Sequence, residues 1–164
     1  MSAVAVGIGY DVHRFAEGRR LVLGGVELEH DRGLAGHSDA DALTHAVIDA
    51  LLGAAGGGDI GQRFPDTDPA WRDADSIELL RTVVAELRAA GYAPLHVDAT
   101  VVLEAPKLGA AREAMRARLA EALGLPEAGV NVKATTGEGL GFVGRGEGAA
   151  ALAVATLHHV GGVD

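Results

Sequence analysis

Apolar and polar positions alternate in patterns that predict the first elements of the chain. Residues 4–8 are apolar and rich in β-branched side chains, which is typical of a strand. Two short apolar runs, 21–23 and 26–28, flank Gly24-Gly25, and this dipeptide between strand-like runs predicts a tight hairpin. Residues 30–36 are polar and contain glycines, so we expect a mobile loop there.

A helix is predicted to begin at Ser38, because Ser38 with Asp41 three residues later matches a capping box. Apolar residues then recur at helical spacing on one face, and Gly53 is expected to end the helix. The later patterns predict helices over 76–90 and up to Leu123, and strands over 95–103, 130–135 and 149–157. In the strand over 95–103 the odd-numbered side chains, including Leu95, are expected to share the buried face.

Length and composition restrict the function. The 164 residues are 48% apolar and 23% charged, which is typical of one globular domain spanning 1–164. The net charge of −9 argues against a nucleic-acid binder, and no apolar run is long enough to cross a membrane, so we expect a cytoplasmic protein. Because the chain has no cysteine, any metal must bind to histidine and carboxylate groups.

Asp11 and His13 form the first candidate site. Two residues apart on a strand, they project from the same face and offer an oxygen and a nitrogen that suit zinc. His45, one turn into the helix, is the candidate third ligand, and the neighbouring Asp41 carboxylate is expected to orient it. Each feature also has a simpler interpretation, a solvated pair for the first two and a surface ion pair for His45.

Other polar residues have candidate roles in binding phosphate. His37 precedes a helix start, where backbone amides favour anions, although it fits equally well as an ordinary loop residue. Residues 53–69 are rich in glycine, aspartate and proline and are expected to form an ordered loop. Within it, Asp59, Asp66 and Asp68 fit as metal ligands, hydroxyl acceptors or turn formers. The glycine-rich segment 136–148 contains side chains that suit phosphate or a divalent cation, or it is only a flexible turn; these side chains, with the preceding residue, are Thr135, Thr136, Glu138 and Arg145.

Several motifs together resemble the 2-C-methyl-D-erythritol 2,4-cyclodiphosphate synthase family. They occur in the family's order between about residues 6 and 149, which makes the resemblance far more specific than any single motif. The motifs are Gly9-Tyr10-Asp11-Val12-His13, His37-Ser38-Asp39-Ala40-Asp41 with His45, Asp59-Ile60-Gly61, Phe64-Pro65-Asp66-Thr67-Asp68-Pro69, Ala105-Pro106-Lys107, Lys133-Ala134-Thr135-Thr136 and Gly141-Phe142 through Gly144-Arg145-Gly146-Glu147-Gly148.

The resemblance implies a reaction and its cofactors. Family members convert 4-diphosphocytidyl-2-C-methyl-D-erythritol 2-phosphate to the cyclic diphosphate with release of CMP, in the methylerythritol phosphate route to isoprenoids. It implies zinc on Asp11, His13 and His45, and a second divalent cation, Mg²⁺ or Mn²⁺, on Glu138. It also implies that His37 and Thr136 stabilise the transition state.

Substrate contacts follow from the same resemblance, with the cytidine end near residues 103–109. The implied substrate-binding residues are Asp11, His13, His37, Ser38, Asp59, Ile60, Gly61, Phe64, Asp66, Asp68, Leu103, Ala105, Pro106, Lys107, Thr135, Thr136, Glu138, Phe142 and Arg145. Gly137 departs from the expected motif, where we expect threonine, serine or asparagine, and so predicts local flexibility beside Glu138.

The resemblance further implies an α+β fold, in two layers, with a mixed sheet that carries helices on one face. Three such subunits are expected to form a homotrimer in which the sheets face one another across the axis and the active sites lie between neighbours. Two other functions stay open: a zinc-dependent phosphodiesterase, and a trimer that binds isoprenoid diphosphates without catalysis.

Overall fold

The computed structural model describes residues 4–160 and divides them into strands and helices. The strands are β1 (Val4–Ala16), β2 (Leu21–Leu23), β3 (Val26–Leu28), β4 (Gly33–Leu34), β5 (Tyr92–Val102), β6 (Val130–Thr135) and β7 (Gly148–His159). The helices are α1 (Ala42–Ala55), α2 (Ile60–Arg63), α3 (Ser76–Ala89), α4 (Ala111–Leu123) and α5 (Gly141–Gly144), with 3-10 turns at Pro69–Trp71 and Glu127–Gly129.

The main sheet has five strands in the order β4-β1-β7-β5-β6. β5 and β6 run parallel, and the other neighbours are antiparallel, so the sheet is mixed. Helix α1 packs against β1, β7 and β5, while α3 and α4 complete the helical layer. These features confirm the predicted α+β fold with a mixed sheet. Among the described residues, no helix has the length and apolar character needed to span a membrane.

Helix α1 lies unusually close to β1 because two glycines face it. A Cβ atom placed on Gly9 would lie 1.9 Å from the Ala46 carbonyl oxygen, and one on Gly7 would lie 2.0 Å from the Ala50 oxygen. Any larger side chain at either position would push the helix away from the strand. Since Asp11 and His13 follow on the same face of β1, this close packing also determines how far they lie from α1.

The predicted start and end of the first helix are wrong. Asp41, not Ser38, is the N-cap, because its carboxylate accepts a hydrogen bond from the Thr44 amide. The helix continues through Gly53 and ends at Gly56, whose φ of 68° places it in the left-handed region. The signal was misread because both Ser38 and Asp41 are good capping residues.

Buried Asp41 also joins the β2–β3 hairpin to α1. Its two carboxylate oxygens accept hydrogen bonds from the Gly24 amide at 2.9 Å, the Gly25 amide at 2.7 Å and the Thr44 hydroxyl at 2.7 Å. Burial raises the pKa of this carboxyl above its ordinary value. The predicted hairpin is confirmed, with both glycines at positive φ.

Three other local predictions need correction. The loop over 30–36 contains β4, which pairs with the end of β1. The predicted loop over 53–69 contains the end of α1 and the short helix α2. Leu95 is 41% exposed rather than buried, because the pairing of β5 with β7 is irregular at this point and interrupts the alternation.

We predict that Gly9→Ala lowers the free energy of unfolding by about 3 kcal/mol or more, because the added methyl group meets helix backbone, which cannot rotate away. Urea unfolding followed by circular dichroism measures the change. Gly53→Ala is the matched control: its Cβ would lie 3.7 Å from the nearest atom, so the better helix propensity should raise stability by about 0.5–1 kcal/mol. Equal stability of Gly9→Ala and the unmodified protein would contradict the account of close packing.

Candidate active site and metal centre

Asp11, His13 and His45 converge where β1 meets α1. The Asp11 carboxylate oxygen Oδ2 lies 2.8 Å from His13 Nε2 and 3.1 Å from His45 Nδ1, and the two ring nitrogens are 3.3 Å apart. One ligand atom from each residue therefore falls within 4.8 Å of the others. The predicted cluster of three candidate ligands is confirmed in the described part of the chain.

Each histidine is oriented by a hydrogen bond on its other ring nitrogen. His13 Nδ1 donates to the Ala35 carbonyl oxygen at 2.7 Å, which leaves Nε2 available as a ligand. His45 Nε2 lies 2.8 Å from the Ser76 hydroxyl, and that hydroxyl bonds in turn to the Asp39 carboxylate. The Ser76 oxygen therefore accepts from His45 and leaves Nδ1 available as a ligand.

The prediction that Asp41 orients His45 is wrong. The Asp41 carboxylate is occupied by the hairpin amides and by Thr44, while Ser38 and Ser76 contact the His45 ring. Residues at i and i+4 are neighbours on the surface of a helix, which is why Asp41 was expected to contact His45. Asp41 is instead the N-cap, and its side chain points toward the hairpin.

The two histidines favour the ionised form of the Asp11 carboxyl group. Burial alone would raise the pKa of the Asp11 carboxyl, but hydrogen bonds from His13 and His45, and their charges, hold that pKa well below its usual range. Burial alone would lower the pKa of His13, but the hydrogen bond and charge of Asp11 raise it. A divalent cation would interact with the same carboxylate oxygen and the same two ring nitrogens.

The residues present fit a zinc ion. One carboxylate oxygen and two imidazole nitrogens form a donor set typical of catalytic zinc, which keeps a fourth position open. Both histidines have the outer hydrogen bonds that such sites need. The cluster also opens into a cleft of ≈ 460 Å³, so a ligand can reach that fourth position.

Many of the predicted substrate-binding residues line this cleft, which we name the metal-centre cleft after the candidate metal site. They are Asp11, His13, His37, Ser38, Ile60, Gly61, Phe64 and Asp66. Phe64 packs edge-on against Trp71, with ring centroids 4.9 Å apart, which forms part of the apolar wall. His37 Nε2 donates to the Asp68 carbonyl oxygen at 3.0 Å, so its ring is held at the mouth of the cleft.

Asp59 and Asp68 also have local structural roles. Asp59 accepts from the Gln62 amide at 2.8 Å and caps α2, and Asp68 accepts from the Ala70 amide at 2.9 Å and caps a 3-10 turn. The turn-forming alternative is therefore observed for both.

A second cleft, of ≈ 290 Å³, holds the residues predicted to bind the cytidine end. Its lining includes Leu103, Pro106, Lys107, Thr135 and Thr136. It does not include the Asp11 cluster, so on one chain these two groups of predicted residues lie in different clefts.

Glu104 stabilises the turn that carries Glu138. Its Oε1 accepts hydrogen bonds from the Gly137 amide at 2.7 Å and the Gly139 amide at 3.5 Å, on both sides of Glu138. The Glu138 amide also donates to the Thr136 hydroxyl at 3.1 Å. The backbone around Gly137 is thus held by hydrogen bonds, and the expected local flexibility finds no support in these contacts.

Phe142 and Arg145 line a third cleft, of ≈ 690 Å³, together with Arg14 and Arg32. Arg145 pairs with Glu147, and their side-chain atoms Nε and Oε1 lie 2.8 Å apart. His13 is the one residue shared between this cleft and the metal-centre cleft.

Sequence reasoning did not identify Ala35, Ser76 or Glu104 as contributors to the site. Ala35 acts through its backbone carbonyl, which no residue type signals. Ser76 lies 31 residues from His45 and stands at a helix start, where a serine is common without any function. Glu104 directly precedes the Ala105-Pro106-Lys107 motif, and this place in the sequence could have suggested a role for it.

A family model described as the YgbB family matches residues 4–158. The chain is 63% identical to 2-C-methyl-D-erythritol 2,4-cyclodiphosphate synthase of Salinibacter ruber, over 93% of this chain and 97% of that one. It is 62% identical to the bifunctional enzyme IspD/IspF of an Anaeromyxobacter species, over 96% of this chain but 40% of the relative.

Solved structures show the same fold. The bifunctional IspDF of Campylobacter jejuni matches with a TM-score of 0.93 and 44% identity, over 97% of this chain and 43% of that one. A CDP-bound 2C-methyl-D-erythritol-2,4-cyclodiphosphate synthase matches with a TM-score of 0.85 and 40% identity, over 93% of this chain and 99% of that one.

We predict that His45→Ala weakens zinc binding by more than about 100-fold, because losing a ligand costs more than losing one of its outer hydrogen-bond partners. Competition with a zinc chelator measures the affinity, and circular dichroism checks that the fold persists. His30→Ala is the control, since His30 pairs with Asp31 and contacts Phe15 away from the cluster. Unchanged zinc affinity in His45→Ala would remove His45 from the ligand set.

Proposed function

The chain belongs to the YgbB family. We propose that it catalyses the cyclodiphosphate synthase reaction with a zinc ion bound by Asp11, His13 and His45. The reaction is the conversion of 4-diphosphocytidyl-2-C-methyl-D-erythritol 2-phosphate to 2-C-methyl-D-erythritol 2,4-cyclodiphosphate with release of CMP, a step in the methylerythritol phosphate route to isoprenoids. The observation that carries the metal assignment is the convergence of the three ligand atoms at the base of an open cleft.

The chemistry is an in-line displacement at phosphorus. An oxygen of the 2-phosphate attacks the β-phosphorus, the new P–O bond closes the ring, and the bond to the α-phosphate oxygen breaks so that CMP leaves with the bonding electrons. Such a reaction needs positioning and charge neutralisation rather than a protein nucleophile. Zinc, when bound, supplies Lewis-acid polarisation of a phosphate oxygen.

His37 and Thr136 are proposed to stabilise the transition state. The half-buried His37 ring lines the metal-centre cleft, where its Nε2 donates to the Asp68 carbonyl, and Thr136 lines the cytidine-end cleft. Hydrogen-bond donors that are held in place before the reaction stabilise negative charge as it develops on phosphate oxygens. Lys107, in the same cleft as Thr136, adds a positive charge for the nucleotide phosphates.

Glu138 is proposed to hold the second divalent cation, Mg²⁺ or Mn²⁺. Its φ of 54° sets it in a tight turn, and the hydrogen bonds from the flanking glycine amides to Glu104 support that conformation. A carboxylate oxygen is the ligand that these hard cations prefer, with the substrate diphosphate completing the coordination.

We propose that the substrate-binding residues implied by the resemblance act on this substrate and that the site is completed by a neighbouring subunit. The metal-centre cleft and the cytidine-end cleft are separate on one chain, although a single substrate must reach both. A homotrimer in which each cleft of one subunit meets the other cleft of its neighbour resolves this separation.

The outer face of the sheet supports such a trimer. The even-numbered side chains of β1 alternate outward and are 44% to 70% exposed. Ile8, Tyr10 and Val12 pair with the apolar Val154, Leu152 and Ala150 of β7. This apolar stripe comprises Val4, Val6, Ile8, Tyr10, Val12, Leu152 and Val154. Beside it, β5 and β6 present polar groups, where Lys133 lies 2.6 Å from Asp98 and lowers the pKa of its carboxyl. An apolar patch of this kind on a free subunit is typical of an interface between subunits.

We predict that Ile8→Glu converts the trimer to monomers, because three carboxylates would be buried near the axis without partners. Light scattering coupled to size exclusion measures the mass. Thr82→Glu, which adds the same charge to the exposed face of α3, should leave the mass unchanged. A trimeric Ile8→Glu protein would contradict the assignment of this face to the interface.

The reaction itself is tested by phosphorus NMR of the protein with its cytidyl diphosphate 2-phosphate substrate and magnesium. Equal amounts of CMP and cyclic diphosphate are expected with zinc present. Removal of zinc should lower the rate by about 10³-fold or more, and added zinc should restore it. CMP with a linear product would instead indicate a phosphodiesterase, and binding without turnover would indicate a non-catalytic trimer.

A further inference from the structure

We infer that Arg19 is a positioning residue for the metal centre, because it clamps the segment 34–38, which contacts both histidines. Its Nε donates to the Leu34 carbonyl oxygen at 3.0 Å, and its Nη2 donates to the Ser38 carbonyl oxygen at 2.7 Å. A third nitrogen, Nη1, lies 3.9 Å from the Asp73 carboxylate. One side chain therefore joins the two ends of the segment 34–38.

The clamped segment carries the groups that orient the metal ligands. Within it, the Ala35 carbonyl accepts from His13, and the Ser38 hydroxyl lies 3.2 Å from His45 Nε2. His37, which is proposed to stabilise the transition state, lies between them. Displacement of this segment would shift the His13 and His45 rings and His37 together.

Backbone contacts fix the segment at separate points but do not join its ends. The Ala35 amide donates to the Arg14 carbonyl at 2.9 Å, and the Asp73 amide donates to the His37 carbonyl at 2.9 Å. The first contact ties the segment to β1, and the second ties it to the turn before α3. Arg19 spans the two attachments, so we expect the distance between them to depend on it.

The guanidinium group suits this role better than an ammonium group. Its planar fork presents several N–H donors in fixed directions, so that one side chain can bond two carbonyl oxygens and a carboxylate at once. The Arg19 side chain is 30% exposed, and this partial burial limits competition from water. A lysine at this position could reach one carbonyl but could not hold both in a fixed relation.

The inference rests on the proposed zinc site, and its test uses metal binding and spectroscopy as well as turnover. In Arg19→Ala, we expect the dissociation constant for zinc to rise about tenfold and kcat at saturating zinc to fall about tenfold, with KM changed less than about twofold. With Co²⁺ in place of zinc, the visible absorption bands should shift in position and intensity, since they report the ligand geometry.

Arg20→Ala is the matched control, because Arg20 is its neighbour but contacts only Glu27 among the hydrogen bonds and ion pairs found in residues 4–160. It should keep the zinc affinity, kcat and cobalt spectrum of the unmodified protein. Arg19→Lys should give values between those of Arg19→Ala and the unmodified protein. It also provides a readout if the alanine variant does not fold.

Two results would overturn the inference. If Arg19→Ala and Arg19→Lys lower only the melting temperature, with unchanged cobalt spectrum and kcat, Arg19 has a structural role alone. If the unmodified protein binds neither cobalt nor zinc at Asp11, His13 and His45, the proposed function fails, and the role of Arg19 fails with it. Metal binding by the unmodified protein therefore distinguishes a failure of the inference about Arg19 from a failure of the proposed function.

Discussion

The packing of α1 against β1 is the constraint on which the candidate site depends. Gly7 and Gly9 have no side chains, so the helix backbone lies where a Cβ atom would otherwise stand. This approach brings His45 on the helix to within hydrogen-bond distance of Asp11 and His13 on the strand. A displacement of even one ångström would separate the ligand atoms of a metal centre that needs distances defined to a few tenths.

The second requirement is electrostatic. A chain with a net charge of −9 acts on a substrate that is itself strongly anionic, so attraction must come from a few local groups rather than from the whole protein. The proposed zinc ion, the second cation on Glu138 and the charge of Lys107 supply that attraction. Each is held by neighbouring hydrogen bonds or lies in a defined cleft, which limits the cost of reorganisation during the reaction.

Sequence patterns predicted most elements, and the misplaced boundaries have physical causes. Ser38 and Asp41 both suit an N-cap, and only the contacts of each side chain show that Asp41 caps the helix while Ser38 contacts His45. Gly53 has the residue type of a helix stop but stands where helical hydrogen bonding continues to Gly56. Leu95 breaks the alternation of β5 because of an irregularity in strand pairing that no residue type announces.

The sequence by itself determined the three candidate metal ligands and the polar motifs, because residue types and their order along the chain carry that information. The mixed α+β fold followed from the family resemblance that those motifs carry. The tertiary structure alone decided which groups orient the ligands. Ala35 acts through its backbone, and Ser76 and Arg19 reach the site from distant parts of the chain. Their roles depend on distances between elements, and those distances are set by packing rather than by spacing along the chain.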